Sequence, residues 1–231
     1  MVEEKSCDIS KKESNCCSEK TVKSINIAEH WRGVYNNSDI TKLGWYEKES
    51  TPILKLIDTC NLEKNAKIFT VGAGATTLID SLVERGYNNL IANDISNYAL
   101  KVLKQRLGAS HENIKWLVDD ITNPKELTKL SEVTLWIDRA VLHFFTENKD
   151  QDTYFDLLKK KVLKGGFVIL AEFNLRGATK CSGLDVNRYD AAMLAAKLGE
   201  DFSLQIEFDY IYTMPNGDKR NYVYTLFKHL S

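Results

Sequence analysis

The apolar and polar residues of this chain alternate between two spacings from Ser24 onward. Short runs rich in β-branched and aromatic residues are typical of buried strands: KIFTVG (67–72), NNLIAND (88–94), NIKWLVD (113–119), VTLWID (133–138) and GFVILAEF (166–173). Between them lie stretches with helical spacing: TTLIDSLVERG (76–86), SNYALKVLKQRLG (96–108), NPKELTKL (123–130) and DQDTYFDLLKKKVLKGG (150–166). This alternation predicts a mostly parallel sheet covered by helices on both faces.

The C-terminal part departs from this pattern. After a helical stretch, DVNRYDAAMLAAKLG (185–199), come two long strand-like runs, FSLQIEFDYIYT (202–213) and RNYVYTLFKH (220–229). The linker MPNGDK (214–219) has the residues of a hairpin turn, so the two strands should be antiparallel neighbours. We therefore predict an α/β fold, a three-layer sandwich with a seven-stranded, mostly parallel sheet that ends in an antiparallel β-hairpin.

Residues 1–22 differ from the rest of the chain because they are rich in Lys, Glu and Ser and have little to bury. We expect a disordered tail there and one domain over residues 23–231. The tail contains the adjacent pair Cys16 and Cys17. Vicinal thiolates suit soft metal ions, but we favour an inert or incidental pair on a flexible tail, and the sequence does not tell whether the pair has a role.

Composition and charge remove several classes of function. The 31 basic and 32 acidic side chains nearly cancel, so neither nucleic acid nor a membrane surface is an expected partner. The five cysteines show no zinc-type spacing, so no metal site is predicted and a reduced, cytoplasmic location fits best. The start of the chain lacks the apolar core of a signal peptide, and no run approaches the ~20 apolar residues of a membrane span.

Four consecutive predicted strands each end in a glycine turn or a carboxylate. In open α/β sheets, ligands bind beyond the carboxyl ends of the strands, so these residues should meet at one edge. The residues are, in chain order, Gly72 and Gly74, Asp94, Asp119 and Asp120, and Asp138 with Arg139.

The first three of these strand ends have the chemistry of an adenosine pocket. Glycines let backbone N–H groups approach a ligand, and the following helix presents its positive end to it. Asp94, about 20 residues past the glycines, can accept hydrogen bonds from both hydroxyls of a ribose. Asp120 can accept from an adenine amino group, with Ile95 and Ile121 as apolar walls.

The glycine turn alone is weak evidence. The dinucleotide fingerprint G-x-G-x-x-G requires a third glycine where this chain has Thr77, which disfavours a nicotinamide cofactor. A tight turn that binds nothing is the other possibility for the turn taken by itself.

From about His30 to the C-terminus, the chain resembles class I S-adenosylmethionine-dependent methyltransferases. VGAGATTL (71–78) resembles their glycine motif, ANDIS (92–96) their ribose-binding motif and LVDDIT (117–122) their adenine-side motif. The family also carries a seventh strand inserted antiparallel. The resemblance implies S-adenosylmethionine as cofactor, with the two glycines facing its methionine part, Asp94 its ribose and Asp120 its adenine.

The chain departs from the family pattern at two places. The family often has an acid two residues before the first glycine and a third glycine near the turn. Here these positions hold Thr70 and Thr76. Contacts to the methionine amino group are therefore not assigned to Thr70.

The segment WIDRAVLHFF (136–145) resembles the Asp-Arg-Gly segment of thiopurine and related chalcogen methyltransferases, and more distantly the Asp-Lys-Gly-Thr segment of some protein lysine methyltransferases. Arg139 is a candidate for orienting the acceptor, or for pairing with Asp138 or a neighbouring acid to brace the loop. His143 is a candidate proton acceptor or a packed side chain. These three residues form the predicted catalytic set.

Residues 30–50 resemble the lid of both groups, which places an N-terminal lid at about residues 24–50. Trp31, Tyr35, Trp45 and Tyr46 can close over the cofactor with ring faces near its positive sulfur, or simply form the core of the cap.

The stretch before the C-terminal hairpin contributes to the acceptor pocket in related enzymes. Arg188 and Tyr189, together with Trp45 and Tyr46, are the candidate substrate-binding residues, although Arg188 is equally a helix-surface charge. Cys181 is not expected to act as a nucleophile, because direct methyl transfer needs none.

We predict a methyltransferase that acts on a small-molecule thiol, chalcogen, amine or carboxylate. A protein lysine methyltransferase is the first alternative, and a non-catalytic S-adenosylmethionine-binding module is the second.

Overall fold

The computed structural model describes residues 26–74 and 76–230. Seven strands form one sheet in the order β3-β2-β1-β4-β5-β9-β8, and two short strands form a separate ribbon, β6-β7. The strands are β1 (Ile68–Val71), β2 (Leu90–Asp94), β3 (Ile114–Val118), β4 (Val133–Arg139), β5 (Val162–Phe173), β6 (Lys180–Cys181), β7 (Leu184–Asp185), β8 (Phe202–Thr213) and β9 (Lys219–His229).

The first five strands pair in parallel, and β9 lies antiparallel between β5 and β8. The predicted α/β fold with a terminal hairpin is therefore confirmed. Gly217 adopts a φ of +90° in the hairpin turn, and the backbone N–H of Met214 donates to the carbonyl oxygen of Asp218 at 2.8 Å. The Pro-Asn-Gly linker thus closes the hairpin as its composition indicated.

Helices cover both faces of the sheet. Helices α2, α3 and α4 pack in one apolar cluster, and α5 and α6 pack in another. The helices are α1 (Ile27–Asn37), α2 (Thr51–Thr59), α3 (Leu78–Glu84), α4 (Asn97–Leu107), α5 (Asn148–Lys161) and α6 (Ala191–Leu198).

The central strands serve both clusters because successive side chains of a strand point to opposite faces. In β1, Ile68 belongs to the first cluster and Phe69 to the second; in β4, Leu135 belongs to the first and Trp136 to the second. All four are at most 1% exposed. Continuous apolar runs, rather than alternating ones, are what such doubly covered strands require.

Local structure differs from the sequence prediction in several places. Helix α2 was not predicted, and the helix predicted over 150–166 ends at Lys161, where β5 begins. Residues 123–130 form only a short 3₁₀ turn, Leu127–Lys129, because the Asp119 carboxylate accepts the backbone N–H groups of Lys125 and Leu127. The last helix begins at Ala191 rather than at residue 185, since the preceding residues form the β6-β7 ribbon and an extended segment. The lid region contains α1, for which no helix was predicted.

The predicted tail, residues 1–22, and the pair Cys16 and Cys17 lie outside the described residues. The predicted domain boundaries therefore stay predictions. Over the described ranges, no helix has both the length and the apolar character needed to cross a membrane.

Candidate active site

A cavity of about 460 Å³ lies beyond the carboxyl ends of the sheet strands, under α1 and the segment that follows it. Ends of β1 to β5, the β6-β7 ribbon and the start of β9 contribute its walls. Its place and size are those of a small-molecule site in an open α/β fold. Ten of the residues singled out from the sequence line this cavity: Gly72, Asp94, Ile95, Asp120, Ile121, Arg139, Trp31, Tyr35, Trp45 and Cys181.

The turn after β1 requires glycine at two positions. Gly72 and Gly74 have φ values of +53° and +50°, which L side chains rarely adopt. A Cβ on Gly72 would lie 2.2 Å from the side chain of Val141, and one on Gly74 would lie 2.2 Å from the hydroxyl of Tyr35. The turn is therefore a close-packed backbone cradle.

Asp94, the last residue of β2, is hydrogen-bonded to the glycine turn. Its Oδ2 accepts the backbone N–H of Gly74 at 2.8 Å, and its Oδ1 accepts that of Ser96 at 2.7 Å. Burial raises the pKa of Asp94 to about 6, against the lowering effect of these two hydrogen bonds. The carboxylate is thus mostly ionised at neutral pH, and each oxygen keeps a lone pair for a ligand hydroxyl.

The loop after β3 places two carboxylates differently. Asp119 holds the loop through Lys125 and Leu127, as described above. Asp120 uses Oδ1 to accept from the backbone N–H and the hydroxyl of Thr122, at 2.9 and 2.7 Å. Both acids line the cavity. We call the wall formed by Asp94, Asp119 and Asp120 the acidic half.

These residues fit the predicted cofactor. The glycine turn packs directly against Val141 and Tyr35, Gly72 lines the cavity, and a buried, mostly ionised carboxylate, Asp94, lines it beside the turn. Ile95 and Ile121 add the apolar walls that an adenine ring needs. The individual contacts to the cofactor stay proposals.

Aromatic side chains of the lid cover the cavity. Trp31 makes edge-to-face contacts with Trp45 and Phe144, at ring-centroid distances of 5.5 and 5.0 Å, and Tyr35 contacts Trp45 at 5.9 Å. Such contacts stabilise a packed lid beyond simple area burial. Tyr46 packs against the same apolar lid cluster but lines a smaller cavity, and its carbonyl oxygen accepts a hydrogen bond from the Tyr212 hydroxyl.

Arg139 connects the sheet to the lid. A guanidinium nitrogen lies 2.9 Å from Oε1 of Glu47, and another donates to the carbonyl oxygen of Trp45 at 3.1 Å. Nε donates to the Tyr224 hydroxyl at 3.3 Å. These contacts match the second of the two predicted roles, a pairing with a neighbouring acid that braces the structure.

Asp138 and His143 lie behind the cavity wall, fully buried. Asp138 is hydrogen-bonded to Tyr154 and to Glu172, and Nδ1 of His143 lies 2.8 Å from Oε2 of Glu172. Burial raises the pKa of Glu172 to about 8, and burial together with Glu172 raises the pKa of Asp138 well above its ordinary value. Burial therefore disfavours a charge on either carboxyl.

Three cationic side chains line another part of the cavity. Lys180, Arg220 and Arg139 line it, and we call this wall the basic half. Arg139 is balanced by Glu47, and Lys180 lies 2.6 Å from exposed Asp185.

The two remaining predicted residues lie away from the cavity wall. Arg188 is exposed and donates to the carbonyl oxygen of Leu175, and Tyr189 is 2% exposed within the cluster of α5 and α6. Neither lines the cavity. Their predicted part in substrate binding stays untested.

Sequence reasoning missed Glu47, Glu172 and Arg220. Glu172 had a detectable signal, because it is the one charge in the apolar strand GFVILAEF (166–173). Glu47 and Arg220 had none, since exposed lid and hairpin residues of the same type surround them in the sequence. Over residues 26–74 and 76–230, no cluster of His, Cys, Asp and Glu could hold a metal ion.

A family model described as a methyltransferase domain matches residues 69–170. A curated relative, EEF1A lysine methyltransferase 2 of Danio rerio, is 26% identical over 164 residues, which are 65% of this chain and 70% of the relative. The local similarity to thiopurine and chalcogen methyltransferases stays a prediction.

Two solved structures share the fold. An S-adenosylmethionine-dependent methyltransferase from Anabaena variabilis has a TM-score of 0.72 and 14% identity, over 89% of this chain and 96% of that one. The N-methyltransferase NodS from Bradyrhizobium japonicum, in complex with S-adenosyl-L-homocysteine, has a TM-score of 0.62 and 14% identity, over 88% and 98%. At this identity the likeness shows the fold alone.

Proposed function

Because this chain belongs to the class I S-adenosylmethionine-dependent methyltransferases, we propose that it methylates a small-molecule acceptor that carries an anionic group. The acceptor nucleophile is a thiol, a chalcogen, an amine or a carboxylate. The observation that carries this proposal is the separation of charge across the cavity.

The acidic half follows β2 and β3, whereas the basic half extends from Arg139 at the end of β4 to Arg220 at the start of β9. From β2, which ends in Asp94, to β9, which begins beside Arg220, there are four strand intervals, or about 19 Å at ~4.8 Å each. The acidic half suits the hydroxyls and amino group of an adenosine, so the acceptor enters at the basic half. Arg220 makes its one described hydrogen bond to the carbonyl oxygen of Lys219, and its remaining donors suit an anion.

Enclosure also favours a small acceptor. Trp31, Trp45 and Phe144 cover the cavity from the lid and from the loop after β4. Bound S-adenosylmethionine supplies a methyl group on a positive sulfur, which is already activated for displacement. The protein therefore needs mainly to position the acceptor and exclude water, and the aromatic lid serves both needs.

We propose that Arg139 and Asp138 act as positioning residues. Arg139 fixes the lid through Glu47 and Trp45, and Asp138 holds the loop after β4 by accepting the backbone N–H of Val141 at 3.0 Å. His143 packs against Phe173, at a ring-centroid distance of 4.5 Å, and Phe173 lines the cavity. A thiolate, a carboxylate or a neutral amine can attack the methyl group without first transferring a proton to His143.

A protein lysine methyltransferase is the second candidate. It is favoured by the lysine methyltransferase of Danio rerio to which the chain is similar. A lysine side chain must arrive near the sulfonium as a neutral amine, and cationic neighbours such as Arg220 and Lys180 would repel the substrate peptide if it is basic. A non-catalytic module that holds the cofactor is the third candidate.

An acceptor screen separates these candidates. Formation of S-adenosylhomocysteine is measured with panels of thiols, amines and small carboxylic acids, and with a protein lysate. We expect turnover with an anionic small molecule, and a KM about tenfold higher for Arg220→Gln because one charged hydrogen bond is lost. Lys219→Gln, an exposed neighbour outside the cavity wall, should leave KM unchanged.

Three outcomes would contradict the proposal. Methylation of lysate protein alone would favour the lysine methyltransferase, and binding without turnover in every panel would favour the module. A preference for cationic small molecules would exclude the anionic acceptor.

We propose a cytoplasmic location for the protein. Cys60 and Cys181 are both free thiols, which fits a reducing compartment.

A further inference from the structure

A connected series of aromatic rings follows the main cavity from the lid towards the C-terminal hairpin. Trp45 and Trp31 of the lid meet edge to face at a ring-centroid distance of 5.5 Å, and Trp31 meets Phe144 in the same way at 5.0 Å. His143 lies between Phe144 and Phe173, with its ring centroid 4.5 Å from each. The series therefore passes from the lid, over the loop after β4, to the end of β5.

The last ring of the series belongs to β9. Phe173 and Tyr222 are partners in the antiparallel pairing of β5 and β9, and their ring centroids are 5.0 Å apart. His143 is fully buried behind the cavity, but the five other rings line it. We call these five the aromatic wall: Trp31, Trp45, Phe144, Phe173 and Tyr222. The aromatic wall thus reaches the strands that carry the basic half.

The aromatic wall ends beside an arginine. Arg220 precedes Tyr222 by two residues, so both side chains lie on the same face of β9, with Cα atoms about 7 Å apart at ~3.4 Å per residue. The residue paired with Arg220 on β8 is a further aromatic one, Tyr212. A guanidinium binds a planar carboxylate through two parallel hydrogen bonds and also stacks on aromatic faces. The end of the wall therefore suits a ring that carries an anion.

Arg220 is the cation of the basic half that best fits a ligand anion. The charge of Arg139 is balanced by Glu47 at 2.9 Å, and that of Lys180 by Asp185 at 2.6 Å. The described contacts of Arg220 include a hydrogen bond to a backbone carbonyl oxygen and no carboxylate. An anion at Arg220 would therefore gain an ionic partner without breaking an existing ion pair.

The rest of the wall favours an aromatic over an aliphatic ligand. Trp31, Trp45 and Phe144 are only half-buried, so part of each ring surface is left for a ligand in the cavity. Edge-to-face and offset-stacked pairs of aromatic rings are favourable beyond the area that they bury. A flat ring among these side chains therefore binds more tightly than a saturated ring of the same size.

We propose that the methyl acceptor is an aryl acid, an aromatic ring that carries an anionic substituent, with the ring against the aromatic wall and the anion at Arg220. This inference rests on the proposed methylation of an anionic small molecule and narrows its class. Because the ring is rigid, its contacts at the wall and at Arg220 together orient the whole acceptor towards the cofactor.

Calorimetry with two matched acids tests the aryl acceptor. Benzoate and cyclohexanecarboxylate carry the same anionic group on rings of similar size, and only the first ring is aromatic. We expect the protein saturated with S-adenosylhomocysteine to bind benzoate about fivefold more tightly than cyclohexanecarboxylate, because only the aromatic ring gains from the wall. Phe144→Leu removes a ring but keeps an apolar side chain, and it should bring the two affinities within about twofold of each other.

Phe167→Leu is the matched control, since Phe167 is also half-buried but lies near the other end of β5, away from the cavity wall. It should leave the preference for benzoate unchanged. If Phe144→Leu does not fold, Trp31→Leu removes another ring of the wall and should reduce the same preference.

The outcomes separate this inference from the proposed function. Equal binding of the two acids by the wild type, or a preference for benzoate that persists in Phe144→Leu, would overturn the aryl acceptor and leave an anionic acceptor in place. Absence of benzoate binding at about 10 mM would also overturn it. Tighter binding of benzylamine than of benzoate would instead contradict the anionic acceptor itself.

Discussion

The acidic and basic halves of the cavity are assembled over different distances along the chain. In the acidic half, Asp94 binds Gly74 and Ser96, which are 20 and 2 residues away, and the bonds go to backbone N–H groups. In the basic half, Arg139 contacts Tyr224 and Trp45, which are 85 and 94 residues away.

This difference separates two kinds of information. The position of a carboxylate that binds backbone groups after a parallel strand depends on the strand and on the turn. Both are encoded by short segments of the sequence. A guanidinium that reaches a lid and a C-terminal hairpin depends on how distant segments pack. The acidic half, proposed to bind the cofactor, is therefore easier to predict from the sequence. The basic half, proposed to bind the acceptor and to decide specificity, is harder to predict.

The largest expected effect is a loss of cofactor affinity when the acidic half is altered. Asp94→Ala removes the carboxylate proposed to accept from both ribose hydroxyls, and each charged hydrogen bond contributes about 1.5–3 kcal/mol. We expect S-adenosylmethionine to bind about 100-fold more weakly by calorimetry. Arg220→Gln, in the basic half, should change this affinity less than about twofold. Equal binding by wild type and Asp94→Ala would show that the acidic half does not hold the cofactor.

An intermediate effect concerns the buried carboxyls behind the basic half. The pKa of Glu172 is raised from 4.5 to about 8, so the folded protein holds a proton that the unfolded chain releases. This contribution to stability is complete below about pH 4.5 and is lost as the pH rises towards 8.

Glu172→Gln mimics the protonated form and should flatten this dependence. We expect the free energy of unfolding of the wild type to fall by roughly 3 kcal/mol more than that of the variant between pH 5 and 8. Urea denaturation at several pH values measures the difference. Parallel pH profiles for the two proteins would contradict the raised pKa of Glu172.

The smallest expected effect is a change in stability at backbone positions with positive φ, one at Ala140 and one at Gly72. Ala140, after β4, has a φ of +66°, close to the values of Gly72 and Gly74, but it carries a Cβ. Relief of this strain outweighs the greater freedom of glycine in the unfolded chain. We expect Ala140→Gly to stabilise the protein by about 0.5 kcal/mol in urea denaturation, whereas Gly72→Ala should destabilise it. A loss of stability in Ala140→Gly would contradict the strain.

Much of the fold was predictable because its signals are local. Runs such as VTLWID (133–138) are buried on both faces, and the Pro-Asn-Gly linker closes the hairpin. The segment 123–130 was predicted as helical and is not, because Asp119 captures its backbone N–H groups in a way that helical spacing does not reveal.

The candidate site divides in the same way. Gly72, Asp94 and Asp120 could be named from their positions after predicted strands, and all three line the cavity. Glu47 and Arg220 could not be named, because nothing in their neighbourhoods distinguishes them from other surface charges. Arg139 could be named, but its partner in the lid could not.

The sequence by itself determined the strands of the main sheet, the terminal hairpin and the residues of the acidic half, because period, turn chemistry and strand ends are properties of short segments. Only the tertiary structure decided that Arg139 pairs with Glu47, that burial raises the pKa of Asp138 and Glu172, and that Lys180 and Arg220 line the same cavity as the acidic half. Each of these depends on burial and on contacts between segments that are far apart in the chain. Burial and contacts set the electrostatic free energy of a charged side chain, and no local sequence pattern encodes them.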